Sequence, residues 1–112
     1  MAFAVREHVG ADGRIPFRDW LGELDKAVRA RIQARILRFE TGNLGDHKSV
    51  GGGVWEARID VGPGYRVYFG KSGREVILLL VGGDKSSQRG DIEQARKYWS
   101  EQEKEAKRGK AK

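Results

Sequence analysis

The placement of glycine constrains the fold of this 112-residue chain more than any other feature. Twelve of the sixteen glycines fall between Gly42 and Gly90, where they separate three apolar or alternating segments in the manner of turns. Residues 54–61 and 65–69 each place apolar side chains on one face and polar side chains on the other. This part of the chain predicts an antiparallel meander of strands.

The sequence Gly62-Pro63-Gly64 predicts how the first two strands pair. If these three residues form the whole hairpin loop, residue 61 pairs with 65 and residue 59 pairs with 67, so that apolar residues meet on the inward face. On the outward face, this register pairs Asp60 with Arg66 and Arg58 with Tyr68.

The third segment predicts a buried strand, and the residues after it predict a helix. Val76–Val81 is apolar at every position, which is typical of a strand covered on both faces, so we expect it at the centre of the sheet. After this strand, Ser86-Ser87 or Asp91 can cap a helix over residues 91–105. One side of that helix carries Ile92, Ala95 and Trp99.

The first forty residues predict one strand and two helices. Residues 2–9 mix β-branched and charged side chains, as strands do. Apolar residues then recur every three or four positions, and Gly22 and Asp25 divide this stretch into helices over 16–23 and 26–41, packed as a hairpin. We therefore expect one α+β domain over residues 1–112, in which residues 99–112 form a charged helix end and tail.

Composition excludes several classes of protein. No apolar run approaches the roughly 18 residues of a membrane span, and the N-terminus lacks the layout of a secretory signal, so we expect a cytoplasmic protein without a membrane partner. Cysteine is absent, which excludes disulfides and thiol catalysis. His8 and His47 lie far apart without clustered carboxylates, and no phosphate-binding loop is present. We expect neither a metal nor a cofactor.

The charge balance favours polyanionic partners. Lys and Arg number 22 against 16 Asp and Glu, which gives a formal net charge of +6, and such an excess suits RNA, DNA or acidic protein surfaces. Much of the excess lies in residues 96–112, where it also fits a solvated helix end and a frayed terminus.

A group of cations and one aromatic residue is predicted at the outward face of the meander. Clustered guanidinium and ammonium groups suit phosphodiester chemistry, because they stabilise charge that grows on phosphate oxygens. They equally suit phosphate binding alone, each also fits a solvated surface, and Arg66 can instead form an ion pair with Asp60. The members of this group are Arg58, Arg66, Tyr68, Lys48 and Lys85.

Four stretches of the sequence resemble one protein family. They are FRDWL (17–21), RIQARILRFETGNLGDHKSVGGGVWEARI (31–59), GPGYRVYF (62–69) and LLLVGGDKSSQRGDIEQA (78–95). In this order and spacing they are similar to the RelE/HigB-type toxins of type II toxin–antitoxin modules, in the branch of addiction-module killer and phage Gp49-like proteins. The resemblance implies a RelE-like fold, in which an N-terminal strand and a helical hairpin pack on a small antiparallel sheet, followed by a C-terminal helix.

The resemblance also implies a metal-free mRNA endoribonuclease that acts on the ribosome and inhibits translation. In such enzymes the ribose 2′-OH attacks the adjacent phosphorus and leaves a cyclic phosphate and a 5′-OH. Arg66 matches the arginine that stabilises phosphate charge, Lys85 matches an assisting basic residue, and Lys48 matches lysines that activate the nucleophile. The residues expected to bind RNA are Arg58, Tyr68 and His47, and His47 competes with Lys48 for its role.

Partners and competing functions follow from the same resemblance. The implied partners are the ribosome, mRNA and a cognate antitoxin, which in this branch is usually a small helix-turn-helix protein. The main alternative is a ParE-like toxin, which shares the fold but inhibits DNA gyrase without cutting RNA. A third reading is a non-toxic, DNA-associated or co-repressing module that depends on the basic tail. Arg66 and Lys85, placed in their motifs, favour the nuclease.

Overall fold

One sheet with helices on both faces makes up the described part of the chain. The computed structural model describes residues 2–110, and the side chains of residues 2–107. The elements in chain order are β1 (Ala4–Glu7), α1 (Pro16–Gly22), α2 (Lys26–Glu40), β2 (His47–Gly51), β3 (Val54–Ile59), β4 (Tyr65–Ser72), β5 (Val76–Asp84), a 3₁₀ turn (Lys85–Ser87) and α3 (Gln88–Lys110). The predicted α+β architecture, both N-terminal helices and the C-terminal helix are confirmed. Residues 111 and 112 of the predicted tail lie outside the described residues.

The sheet is mixed and not purely antiparallel as predicted. Its strand order is β1-β5-β4-β3-β2, and β1 runs parallel to β5, with Ala4 opposite Val76. Between β1 and the meander, the chain forms α1 and α2 on one face of the sheet. This long connection allows β1 to lie parallel to β5 at the sheet edge. The expectation that β5 lies at the centre of the sheet is wrong, because the central strand is β4 and β5 lies between β1 and β4. The expectation that β5 is buried on both faces is confirmed, because residues 77–80 are all buried.

The pairing of β3 with β4 differs from the predicted register. Ile59 lies opposite Tyr65, and Arg58 lies opposite Arg66, so the loop spans residues 60–64 and not only Gly62-Pro63-Gly64. The predicted pairs of Asp60 with Arg66 and of Arg58 with Tyr68 are therefore wrong, and Tyr68 lies opposite Glu56. The register is displaced by an even number of residues, so every side chain keeps its predicted face.

The structure contains one strand that the sequence did not predict. β2 pairs antiparallel with β3, and a bulge separates Ser49 from Gly51. Gly51, Gly52 and Gly53 all have positive φ angles, which confirms the predicted glycine turn before β3. A side chain at Gly53 would also overlap the indole of Trp99, so this turn allows α3 to approach the sheet closely.

Two apolar clusters occupy the two faces of the sheet. On one face, α1 and α2 contribute Phe17, Ile32 and Phe39, and Phe39 lies against Phe69 of β4 with ring centroids 5.4 Å apart. On the other face, Ala95 and Trp99 of α3 pack on side chains of β3, β4 and β5. Burial of this apolar area is the main source of stability. It also brings the start of α3 over one end of the sheet. Within the described residues, no helix is long and apolar enough to cross a membrane.

Candidate functional site

A cleft opens where the β3–β4 loop meets the end of β5. Its volume is about 240 Å³, and we name it the Arg66 cleft. Three predicted site residues meet there: Arg58 from β3, Arg66 from β4 and Lys85 from the 3₁₀ turn. The full lining is Asp46, Arg58, Ile59, Asp60, Pro63, Gly64, Tyr65, Arg66 and Lys85. Four larger grooves, of about 600, 550, 470 and 450 Å³, adjoin α3, but no predicted site residue lines any of them.

Arg58 and Arg66 lie opposite each other on neighbouring strands, so their side chains share one face. Like charges in this position repel, and acidic groups offset the repulsion. Asp46 Oδ2 lies 3.6 Å from Arg58 Nε, with both side chains more than half exposed. An ion pair so exposed contributes little to stability. It also leaves the guanidinium of Arg58 open to another anion.

Arg66 is held in a different way, by a buried carboxylate. Its side chain is only 11% exposed, and its Nε lies 3.5 Å from Oε1 of Glu56, which is completely buried. Gln88 of α3 donates a hydrogen bond to Glu56 Oε2 at 2.9 Å. Within the described residues, neither Arg66 Nε nor Glu56 Oε1 makes a hydrogen bond. The positive charge of Arg66 is therefore balanced by one buried carboxylate, while the same side chain also lines the cleft.

Tyr68 is not available to bind RNA in this structure, which corrects that prediction. It lies on the outward face of β4 as expected, but α3 covers this part of the face and the side chain is 0% exposed. Burial, together with the negative charge of nearby Glu56, raises the pKa of Tyr68 well above its usual value. The phenol is therefore neutral at physiological pH.

Lys85 owes its position to the turn that follows β5. The carboxylate of Asp84 accepts hydrogen bonds from the backbone N–H groups of Ser86 at 2.9 Å and Ser87 at 3.3 Å. The hydroxyl of Ser87 reciprocates by accepting from the backbone N–H of Asp84. Asp84 thus caps the 3₁₀ turn that leads into α3. Lys85 is exposed, and within the described residues its side chain has no ion-pair partner.

The start of α3 lies close against the same end of the sheet. Ser87 Oγ donates to Asp91 Oδ2 at 2.5 Å, and a side chain at Gly83 would overlap that Asp91 carboxylate. Gly83 pairs with Arg66 across β4 and β5. The absence of a side chain at Gly83 therefore lets an acidic group from α3 approach the strand next to Arg66.

Lys48 and His47 do not line the Arg66 cleft. Lys48 lies opposite Glu56, on the same face as Arg66, and is exposed. His47 lies opposite Ala57 and therefore faces the other side of the sheet, with its ring centroid 5.7 Å from that of Trp55. Grouping His47 with Arg66 is therefore wrong, whereas a catalytic role for Lys48 stays a prediction. Within the described residues, no three His, Asp or Glu side chains form a group able to hold a metal ion.

Sequence reasoning missed two residues that support the cleft, Glu56 and Arg35. Arg35 of α2 donates to the carbonyl oxygens of Arg58, Leu44 and Asp46 at 2.7, 2.9 and 2.9 Å. Burial lowers the pKa of Arg35, but the guanidinium stays charged. Its position on the apolar stripe between Ile32 and Phe39 could have identified it. Glu56 lies in a stretch that carries the family resemblance, but no role was predicted for it, because an outward glutamate in a strand is usually solvated.

Comparisons with known proteins identify the family. No solved structure matches the chain. An uncharacterised protein from Haemophilus influenzae is 48% identical over 83 residues, which covers 73% of this chain and 84% of that protein. Residues 19–104 match the phage-derived Gp49-like proteins (DUF891), and this span contains the whole lining of the Arg66 cleft. The chain therefore belongs to the Gp49-like family, which is associated with addiction-module killer proteins.

Proposed function

We propose that this protein is the toxin of an addiction module and that it cleaves mRNA on the ribosome. The observation that carries the proposal is the convergence of Arg58, Arg66 and Lys85 at one open cleft. Membership of a family associated with killer proteins supports the toxin role. RNA as the target is supported by the chemistry of the cleft, because two guanidinium groups and an ammonium group complement phosphate oxygens.

The proposed reaction is an internal transesterification of the RNA backbone. The ribose 2′-oxygen forms a bond to the adjacent phosphorus while the bond from phosphorus to the 5′-oxygen breaks. The products are a 2′,3′-cyclic phosphate and a 5′-OH; one proton leaves the 2′-OH and one reaches the 5′-oxygen. Arg66 and Arg58 stabilise the charge that grows on the non-bridging oxygens, and Lys85 stabilises the leaving 5′-oxygen.

Activation of the nucleophile is assigned to Lys48 in this proposal. Lys48 shares the sheet face of Arg66 but lies outside the cleft, so the bound RNA must bring its 2′-OH toward β2. The ribosome, by holding the codon in place, supplies the in-line geometry that the reaction requires. The reaction as proposed uses no metal ion.

The proposed partner is an antitoxin that covers the Arg66 cleft. Acidic side chains on its surface would pair with Arg58 and Lys85, which are accessible in this structure, and would thereby exclude RNA. Its proposed helix-turn-helix character rests on the sequence resemblance alone.

The test compares wild-type protein with Arg66→Ala and Lys85→Ala on ribosomes that translate a defined mRNA. Mapping the RNA 5′ ends should show cuts made by the wild-type protein. We expect a loss of about 100-fold or more in Arg66→Ala, because removing one charge-stabilising group typically costs that much, and a smaller loss in Lys85→Ala. Lys26→Ala, an exposed cation on α2, is the matched control. Wild-type cleavage by Arg66→Ala would remove the proposed site. Induced cells that show DNA damage before they lose protein synthesis would favour the gyrase inhibitor.

A further inference from the structure

We propose that Glu56 is the positioning residue for Arg66, and that Gln88 couples this pair to the start of α3. Within the described residues, Glu56 is the only buried carboxylate, and it is 0% exposed. A carboxylate is retained in such a place when a nearby positive charge balances it. Arg66 Nε lies 3.5 Å away and supplies that charge.

The geometry of the ion pair indicates that Glu56 positions the Arg66 side chain in addition to neutralising its charge. The ion pair is made at Nε, the guanidinium nitrogen nearest the β4 backbone, so it restrains the side chain and leaves the terminal nitrogens for another anion. Arg66 Nε and Glu56 Oε1 approach each other without a hydrogen bond. Glu56 therefore orients the guanidinium by its charge, and the terminal nitrogens, unlike the buried Nε, keep their capacity to donate. Arg66 lines the cleft, where an RNA phosphate would meet it.

Gln88 connects this pair to the helix that covers it. Its Nε2 donates to Glu56 Oε2 at 2.9 Å, so the two oxygens of one carboxylate face different elements, β4 and α3. When Gln88 is absent, Glu56 loses its hydrogen-bond donor and its charge draws Arg66 inward, away from the cleft. The orientation of Arg66 thus depends on the docking of α3. The consequence of this coupling for catalysis rests on the proposed nuclease function, but the coupling itself does not.

The first experiment measures Arg66 directly, without any substrate. Nitrogen-15 NMR follows exchange of the Arg66 Nε proton with water, and Arg66→Lys assigns the signal by its loss. We expect slow exchange in the wild type and exchange at least about tenfold faster in Glu56→Gln, because the amide carries no charge to restrain the guanidinium. Glu75→Gln, an exposed glutamate at the β4–β5 turn, should leave the signal unchanged. An unchanged Arg66 signal in Glu56→Gln overturns the inference. If Glu56→Gln does not fold, the same exchange is measured in Gln88→Ala. An Arg66 signal that is unchanged from the wild type in that variant also overturns the inference.

The second experiment measures cleavage of ribosome-bound mRNA in single turnover, at a temperature where each variant is folded. Glu56→Gln should lower the rate constant by about tenfold or more while the half-saturating ribosome concentration stays the same, since positioning acts on the transition state and not on binding. Glu56→Asp should recover part of the rate. A merely structural role would change the rate only with the folded fraction, and that result overturns the inference. If the wild type shows a restrained Arg66 but cuts no RNA, the proposed function fails and the positioning by Glu56 stands.

Discussion

Arg35 shows how one side chain can fix the walls of a site that it does not enter. Its three hydrogen bonds join α2 to the segment before β2 and to the end of β3, and these segments bring Asp46 and Arg58 to the Arg66 cleft. Gly45 is part of the same arrangement, because a Cβ there would lie 2.6 Å from the Arg35 guanidinium. The cleft therefore depends on a residue in the opposite layer of the fold.

We expect Arg35→Lys to lower the free energy of unfolding by about 1–3 kcal/mol, because hydrogen bonds from a charged group are worth roughly 1.5–3 kcal/mol and an ammonium cannot reproduce the planar fork. Urea denaturation at neutral pH measures the change. Arg31→Lys, an exposed arginine on the same helix, is the control and should stay within about 0.5 kcal/mol of wild type. Equal stability of all three proteins would mean that the Arg35 bonds contribute nothing.

At the scale of elements, the contact between α3 and β5 depends on one missing side chain. We expect Gly83→Ala to displace the start of α3 and to destabilise the protein by about 1–3 kcal/mol, as overpacking does, because its Cβ would overlap Asp91. Gly90→Ala is the matched control within α3, where a Cβ meets nothing within 4 Å. It should stabilise the protein by about 0.5–1 kcal/mol. Thermal unfolding followed by circular dichroism measures both, and a stabilised Gly83→Ala protein would contradict the described contact.

Because of the turn that leads into α3, we expect the stability of the protein to fall at acid pH. Hydrogen bonds, first from the Ser86 hydroxyl and then from the backbone N–H groups of Ser86 and Ser87, lower the pKa of Asp84. A carboxyl with a lowered folded-state pKa stabilises the protein above its ordinary pKa of about 3.9, and this contribution is lost as the pH falls through the lowered value. Asp84→Asn should thus be less stable than wild type at pH 7 and approach it near pH 2. Urea denaturation across this range measures the difference, and a constant difference would contradict the assignment.

The elements also show what the sequence could and could not predict. Alternation placed every side chain of β3 and β4 on its correct face, because the period of a strand is independent of its partner. The register was wrong because Asp60 and Val61 belong to the loop, which their own residue types do not reveal. The sequence did not predict β2 because HKSVG has little apolar alternation. The glycine turn at residues 51–53 brings β2 alongside β3.

At the scale of the whole molecule, both faces of the sheet are covered, and this explains the remaining errors. Tyr68 was expected at a surface because its neighbours Arg58 and Arg66 are polar, yet α3 returns over that face and buries it. The sequence predicted the apolar side of α3, but it did not predict the part of the sheet against which that side packs. Arg66 and Lys85 line one cleft, as their grouping at the outward face of the meander predicted, whereas Lys48 of the same predicted group lies outside it.

The net charge of +6 should make RNA binding sensitive to salt. For single strands, the logarithm of affinity falls with the logarithm of salt concentration by about 0.7 per neutralised phosphate. If Arg58 and Lys85 each neutralise one phosphate, Arg58→Ala and Lys85→Ala should each reduce this slope by about 0.7. Lys26→Ala, an exposed cation that does not line the cleft, should leave it unchanged. Fluorescence anisotropy with a 2′-O-methyl RNA measures the slopes, and equal slopes in all four proteins would place the RNA elsewhere.

The parallel pairing of β1 with β5 determines when this protein can finish folding as it is synthesised. Ala4 pairs with Val76, so β1 cannot complete its pairing until β5, which follows it much later in the chain, has been synthesised. Contacts so distant in sequence close slowly, and until then the open side of β5 has no neighbour. The sheet therefore stays incomplete until β5 has formed and β1 has paired with it.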